Sequence, residues 1–319
     1  MAGLCEMAVG RSVGTSLGRL VLRSVMAAGL AVLAIAGASA TAFAAAGRVT
    51  IESGGSARTA LLVQHRRLKQ ARRPVVVVLR GGRDKASHQR RIFGLEDMAR
   101  GSGPILVYPD PQGHWAESPG PEMNRDTGFV RDLIGKLVSD GLADRRKVFL
   151  IGISSGGALA LRLACENSAL FAGVAVVISS MPADLGATCA PSRPLPFLII
   201  AGTADTQVPF TGGKANLPDN KSEFLAVDAT LGIFGKAAGC GEGRTSMAFP
   251  DRNPRDGSRA YLDKLTGCKV PVALVRIEGG GHSIPGHWNP GDPESGPAAR
   301  NNDIESAKLI WDFFREAQE

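Results

Sequence analysis

Two apolar rhythms alternate along this chain. The first is the unbroken run. "PVVVVL" (74–79), "PILVYP" (104–109), "KVFLIG" (147–152), "FAGVAVVISS" (171–180), "PLPFLIIAG" (194–202) and "KVPVALVRIE" (269–278) are dense in β-branched residues, with almost no polar alternation. Such runs predict strands buried on both faces. The second rhythm is helical. Phe129, Val130, Leu133, Ile134, Leu137 and Val138 recur at three- and four-residue spacing, with Gly141 as a stop. "GGALALRLACEN" (156–167) and "RIFGLEDMARG" (91–101) predict further helices, and Ile304, Ala307, Trp311 and Phe314 form the apolar stripe of a last helix behind Asp303. "GRVTIES" (47–53) and "RTALLVQH" (58–65) predict an opening hairpin. Buried strands alternating with helices imply an α/β fold, with a mostly parallel sheet covered on both faces. No internal repeat or long linker divides it, so one domain is expected over residues 45–319.

The first 44 residues break this pattern. Arg11, Arg19 and Arg23 lead into the uncharged stretch "VMAAGLAVLAIAGASATAFAAA" (25–46). A basic start, an apolar middle and small residues ending in Ala42-Phe43-Ala44 predict an export signal over 1–44, cut near Ala44. An uncleaved anchor is the alternative, because the run is long enough to span a bilayer; its Ala-, Ser- and Gly-rich end favours cleavage. The expected location is therefore secreted, extracellular or periplasmic, with no stable membrane insertion after cleavage.

The whole chain of 319 residues carries 37 Lys and Arg against 30 Asp and Glu. Loss of the signal removes three Arg and one Glu and leaves a net charge of +5. That is a mild bias. The basic cluster "HRRLKQARR" (65–73) lies between two strand-like runs and has no interleaved aromatics. It reads as a solvated loop, and nucleic-acid binding is not expected.

The run "KVFLIGISSGGALALRLAC" (147–165) turns abruptly from strand to helix at Gly152-Ile153-Ser154-Ser155-Gly156. This is G-x-S-x-G, a nucleophile elbow, in which the serine sits at the tip of a strained turn. Ser154 has glycine at −2 and +2, whereas Ser155 has Ile153 at −2, so Ser154 is the candidate nucleophile. The backbone N–H of Ser155, at the helix start, is one candidate oxyanion donor. The other is expected from the loop after an early strand, at Gly82 or Arg83. A serine hydroxyl needs a base, and the base needs an orienting carboxylate. In elbow sites of this kind both follow the serine along the chain, which excludes His65, His88 and His114. His282, after Gly279-Gly280-Gly281, is favoured over His287. Asp205, just past a buried strand, is favoured as the acid over Asp219 and Asp228. No cofactor or metal is expected.

Cys5 leaves with the signal. Cys165, Cys189, Cys240 and Cys268 remain, and in an exported chain they predict two disulfides. Three pairings are possible. The sequential one, Cys165–Cys189 and Cys240–Cys268, is the simplest.

Taken together, "PVVVVLRGG", "VYPDPQGHWAES", "DTGFVRDLIGKL", "RRKVFLIGISSGGALALRLACENSALFAGVAVV", "SRPLPFLIIAGTADTQVPFTGG", "VRIEGGGHSIPG" and "IESAKLIWDFF" resemble the secreted polyhydroxybutyrate depolymerase-like and feruloyl-esterase-like α/β-hydrolases. The resemblance runs from about residue 74 to residue 314. It implies an α/β-hydrolase fold, a Ser154–His282–Asp205 triad and an ester substrate. First choice is a hydroxyalkanoate oligomer; a feruloyl or acetyl ester of plant cell walls is second. The family's cysteine placement is also similar. By the same resemblance Trp115 lines the substrate site or packs in its loop, and position 284 walls the site. Three positions depart from the pattern: Arg80 stands where the family has His, Ile284 where it often has Trp, and Ser155 where it often has Asn. The rival expectation from another class is a non-catalytic exported binding protein on a hydrolase fold. The segment 285–301 reads as a lid or a passive loop.

Overall fold

Side chains along β3 (Arg73–Leu79) show how the sheet is covered. Val75, Val77 and Leu79 point into one core, and Val76 and Val78 into another on the opposite face. Period-two side-chain placement explains why the run is unbroken: both faces of the strand are interior. The computed structural model describes residues 45–64, 72–82, 93–97, 103–216, 222–286 and 300–319. The expected signal (1–44), most of the basic cluster at 65–73, Arg83, Asp219, His287 and most of the segment 285–301 lie outside the described residues.

The opening hairpin pairs β1 (Ala45–Ser53) with β2 (Ser56–Gln64), turning through Gly54 and Gly55, both at positive φ. Next come β3 and β4 (Ile105–Pro109), then helix α1 (Pro121–Ser139) and β5 (Ala143–Ile153). Helix α2 (Ser155–Glu166) leads to β6 (Gly173–Val177), a short α3 (Ala183–Gly186) and β7 (Phe197–Gly202). A two-stranded ribbon, β8 (Gly213–Lys214) with β9 (Glu223–Phe224), precedes α4 (Val227–Ala237). The chain then runs through β10 (Arg244–Ala248), β11 (Arg259–Leu265) and β12 (Val272–Glu278) to α5 (Ser306–Glu316).

The large sheet has the order β1-β2-β4-β3-β5-β6-β7-β12-β11-β10. Its six central strands, β4 to β12 in that order, pair in parallel. The flanking pairs are antiparallel. One core lies between the sheet and α1, α2 and α4; the other lies between the sheet and α5. Ile310, Phe313 and Phe314 of α5 are buried, and Phe314 stacks on Phe149 of β5. Each such burial stabilises by about 2 kcal/mol, more than the exposed pairs of Asp312 with Lys308 and Arg315 on the outer face. Packing, not surface charge, seats this helix.

Several expectations shift in detail. Helix α1 starts five residues before Asp126, with Pro121 at its first position, where a missing N–H costs nothing. Its end is as read: Gly141 at φ 72° lets Leu142 N–H reach back to Leu137 O. Strand β6 is shorter than "FAGVAVVISS" suggests and stops at Val177. In "RIFGLEDMARG" only 93–97 is described, and it holds a short 3₁₀ turn at Leu95–Asp97. Trp311 is half-buried beside the buried face of α5, and Ile304 precedes the helix. Strands β10 and β11 and helix α4 are not expected from the sequence, although α4 buries Val227, Leu231 and Phe234 at helical spacing. All five residues of β10 are exposed, so no apolar alternation marks it.

The cysteines pair sequentially, Cys165–Cys189 and Cys240–Cys268. The first ties the last turn of α2 to the segment after α3. The second ties the end of α4 to the connection between β11 and β12. Among the described residues no helix is long and apolar enough to cross a membrane.

Candidate active site

The parallel strands β3, β4, β5, β7 and β12 all release their loops at the same, carboxyl end of the sheet, where sites collect in α/β folds. Ser154 stands between β5 and α2 with φ 51° and ψ −120°. A non-glycine residue there is strained, and the surroundings hold it. Its N–H donates to Val177 O at 3.0 Å, and its carbonyl accepts from Gly157 N–H at 2.7 Å. The two glycines of the motif serve different neighbours. A Cβ on Gly152 would lie 2.5 Å from Ala160 Cβ and 2.8 Å from Gly157 Cα, inside α2. A Cβ on Gly156 would strike the end of β3, lying 2.6 Å from Arg80 O. The second glycine therefore admits the neighbouring strand end rather than β5 itself.

The ends of β7 and β12 are stitched together. Thr203 N–H donates to Ile277 O and Ala204 N–H to Gly280 O, each at 2.9 Å. Gly279 N–H donates to Thr203 Oγ1 at 2.9 Å. This seam brings Asp205 beside His282. His282 Nδ1 lies 2.8 Å from Asp205 Oδ2, and His282 Nε2 lies 3.0 Å from Ser154 Oγ. The other carboxylate oxygen, Asp205 Oδ1, accepts N–H bonds from Gln207 (2.8 Å) and Val208 (2.9 Å). The Asp205 side chain is 3% exposed and that of His282 11%. Such a chain can pass a proton from a serine hydroxyl to an oriented imidazole.

The oxyanion candidates sit next to it. A Cβ on Gly81 would lie 2.9 Å from Ser154 Cβ, so the segment after β3 packs directly on the elbow. Gly82 (φ 54°) donates its N–H to Ser155 Oγ at 3.0 Å. The candidate donor is thus already aimed at the elbow, with a hydroxyl as its acceptor.

Other expected residues fall elsewhere. Trp115 is fully buried in the core on the α1 and α2 face, and Ile284, 5% exposed, in the core on the α5 face. Neither ring nor alkyl group offers free surface to a ligand, because each is spent on packing. Asp228 lies on α4 and pairs with Arg244 at 2.7 Å, away from His282. Among the described residues no His, Cys, Asp and Glu cluster could hold a metal ion.

The sequence reading passed over Glu117. It follows Trp115 in the loop after β4, and that loop is anchored where Ala116 N–H donates to Asp126 Oδ2 at 3.2 Å. Asp126 in turn is held by buried Arg58 at 3.1 Å. Burial pushes the Glu117 carboxyl above its usual range, and the nearby charge of His282 acts in the opposite sense. Glu117 precedes the serine in the chain, so the order rule that selected Asp205 hid it.

Comparison with known proteins agrees with this architecture. The sequence profile of the alpha/beta hydrolase family matches residues 90–293. The candidate esterase NocK of Nocardia uniformis subsp. tsuyamanensis is 31% identical over 260 residues, covering 76% of this chain and 74% of that one. Feruloyl esterase B of Piromyces equi is 27% identical over 195 residues, which is 58% of this chain and 35% of that one. A candidate feruloyl esterase C of Aspergillus clavatus is 26% identical over 194 residues, 60% of this chain and 61% of that one. This chain thus spans about a third of the Piromyces protein and under two thirds of the Aspergillus protein. With a family profile matched over most of its length and a relative aligned across three quarters of it, the chain belongs to the alpha/beta hydrolase family.

Proposed function

We propose that this carboxylic ester hydrolase is an exported serine esterase working through an acyl-enzyme on Ser154. The observation that carries the reading is the continuous path Ser154 Oγ–His282 Nε2 and His282 Nδ1–Asp205 Oδ2, at 3.0 and 2.8 Å. Ser154 Oγ attacks the ester carbonyl carbon and gives its proton to His282 Nε2. Asp205 Oδ2 accepts from Nδ1–H, which fixes the tautomer and stabilises the imidazolium. The oxyanion takes N–H bonds from Ser155 and Gly82 once the Ser155 hydroxyl gives up its bond to Gly82. Collapse expels the alcohol with the proton from Nε2, and water repeats the sequence to release the acid and restore Ser154.

Export is supported by the basic, apolar and small-residue order of 1–44 and by two disulfides. For the substrate, the names of the Piromyces and Aspergillus relatives favour feruloyl-type esters. The hydroxyalkanoate oligomers suggested by the sequence resemblance are the alternative. A purely binding role is disfavoured by the intact proton path.

The test has two parts. A fluorophosphonate probe is expected to label the wild-type protein and not Ser154→Ala; equal labelling of both would end the Ser154 assignment. Rates on methyl ferulate and on 3-hydroxybutyrate oligomers then choose the substrate class, with Ser154→Ala as the blank.

A further inference from the structure

Arg80 is the first residue after β3, and it is 7% exposed. A buried guanidinium costs several kcal/mol unless its donors find acceptors. Here the two terminal nitrogens find backbone carbonyls on two separate loops. Nη1 donates to Gly82 O at 2.8 Å, with Gly81 O farther off at 3.5 Å. Nη2 donates to Gly113 O at 3.2 Å, in the loop after β4. The Gly82 residue is therefore held at both its polar groups: its carbonyl by Arg80 and its N–H by Ser155 Oγ at 3.0 Å. Gly82 has φ 54° and no side chain, so nothing intrinsic fixes the direction of its N–H.

We infer that Arg80 is a positioning residue for the oxyanion hole, clamping the Gly82 segment to the Gly113 loop so that Gly82 N–H stays aimed at the Ser154 elbow. The inference rests on the serine-esterase reading above. The planar fork matters more than the charge. One rigid head reaches carbonyls on two loops at once, which a single ammonium on a flexible stem does not reproduce. A donor held in place before reaction acts on the transition state and little on substrate binding. Loss of the clamp is thus expected in kcat rather than KM.

The experiment compares wild type, Arg80→Lys and Arg80→Ala on p-nitrophenyl acetate, with concentrations normalised by fluorophosphonate titration of Ser154. A trifluoromethyl ketone, whose hemiketal oxygen occupies the oxyanion position, serves as the inhibitor. Expected for both variants is a roughly 10- to 100-fold fall in kcat with KM within about twofold. The ketone Ki should rise by the same factor as kcat/KM falls, and ethylguanidinium should restore part of the activity of Arg80→Ala. If either titratable variant keeps wild-type kcat and Ki, Arg80 is only a packing residue and the inference is overturned. Should Arg80→Ala fail to fold, Arg80→Lys carries the same decision. A wild-type protein that neither binds the ketone nor is labelled at Ser154 overturns the esterase reading itself, which is a different failure from a silent Arg80.

Discussion

At the scale of the residue, Asp205 shows how one carboxylate divides two duties between its oxygens. Oδ1 takes the N–H groups of Gln207 and Val208, and Oδ2 faces His282. Asp205→Asn can keep the first duty, because its carbonyl still accepts both N–H groups. It then presents an amide donor to Nδ1 and favours the wrong imidazole tautomer. The expected result is a kcat loss on the order of 10³–10⁴-fold with little change in unfolding temperature. Asp205→Ala should add a stability loss of about 1–3 kcal/mol, because two buried donors lose their acceptor. Thermal unfolding and kcat measured on both variants separate the two duties. Glu117 makes the second residue-scale prediction. Its carboxyl is raised by burial, so its contribution to stability is full below the ordinary carboxylate range and is lost as pH rises through the raised value. The charge of His282 works against that rise without cancelling it. Glu117→Gln should therefore raise stability at neutral pH, and the gain should shrink as pH falls toward the ordinary carboxylate range. Denaturant unfolding of both proteins is the check: a variant no more stable than wild type at neutral pH would show that burying this charge costs nothing.

At the scale of the element, the β5–α2 turn is where sequence and geometry agree most closely, and the reason is steric. Only a residue without Cβ fits at 152 and 156, because the atoms it would strike are helix and strand backbone and the Ala160 Cβ, none of which can swing aside. Gly152→Ala is expected to push the start of α2 away from β5, costing about 1–3 kcal/mol and displacing Ser154. Activity should fall further than stability alone explains, which active-site titration beside denaturant unfolding would reveal. The same logic shows which elements were legible. Strands interior on both faces read as unbroken apolar runs, α1 carries helical periodicity on one face, and α2, buried nearly all round, is marked by the elbow glycines before an Ala- and Leu-rich run. Strand β11, with burial alternating imperfectly in "RAYLDKL", and β10, exposed throughout, lack either signature. They exist because they extend an established sheet, and backbone pairing of that kind leaves no trace in side-chain pattern. Ser154, Asp205 and His282 could be named together from one dimension because each follows a recognisable strand. Arg80 stood out in the sequence only as a departure from the family pattern and Glu117 not at all, since what each touches depends on how two loops meet.

At the scale of the whole molecule, the sheet must end somewhere, and the β10 edge ends it on charge. Arg244 on β10, Asp263 on β11 and Arg276 on β12 form a ladder across the last three strands, with both guanidinium groups 3.0 Å from Asp263 Oδ2. The Asp263 side chain is 3% exposed. Burial alone would push its carboxyl up; hydrogen bonds from Ser246 and Arg276 and the charges of Arg244 and Arg276 together outweigh that and hold it below the usual carboxylate range. The sign of the pH dependence follows. A depressed carboxyl contributes stability that is present above its unfolded pKa of about 3.9 and is lost as pH falls through the lower folded value. Acid should therefore loosen this edge before it reaches the central parallel strands, whose cores hold no titrating ladder of this kind among the described residues. The Cys240–Cys268 link, which closes the connection into β12, should limit how far the edge can open. Asp263→Asn tests the whole chain of argument. At pH 7 it should cost about 2 kcal/mol, the worth of hydrogen bonds to charged groups, and raise amide exchange in 244–248. As pH falls from 7 through the lowered Asp263 value the gap between variant and wild type should close, because the wild-type carboxylate is then itself being neutralised. Denaturant midpoints of both proteins across that range give the answer: a gap that stays constant with pH would show that Asp263 acts through packing and not through its charge.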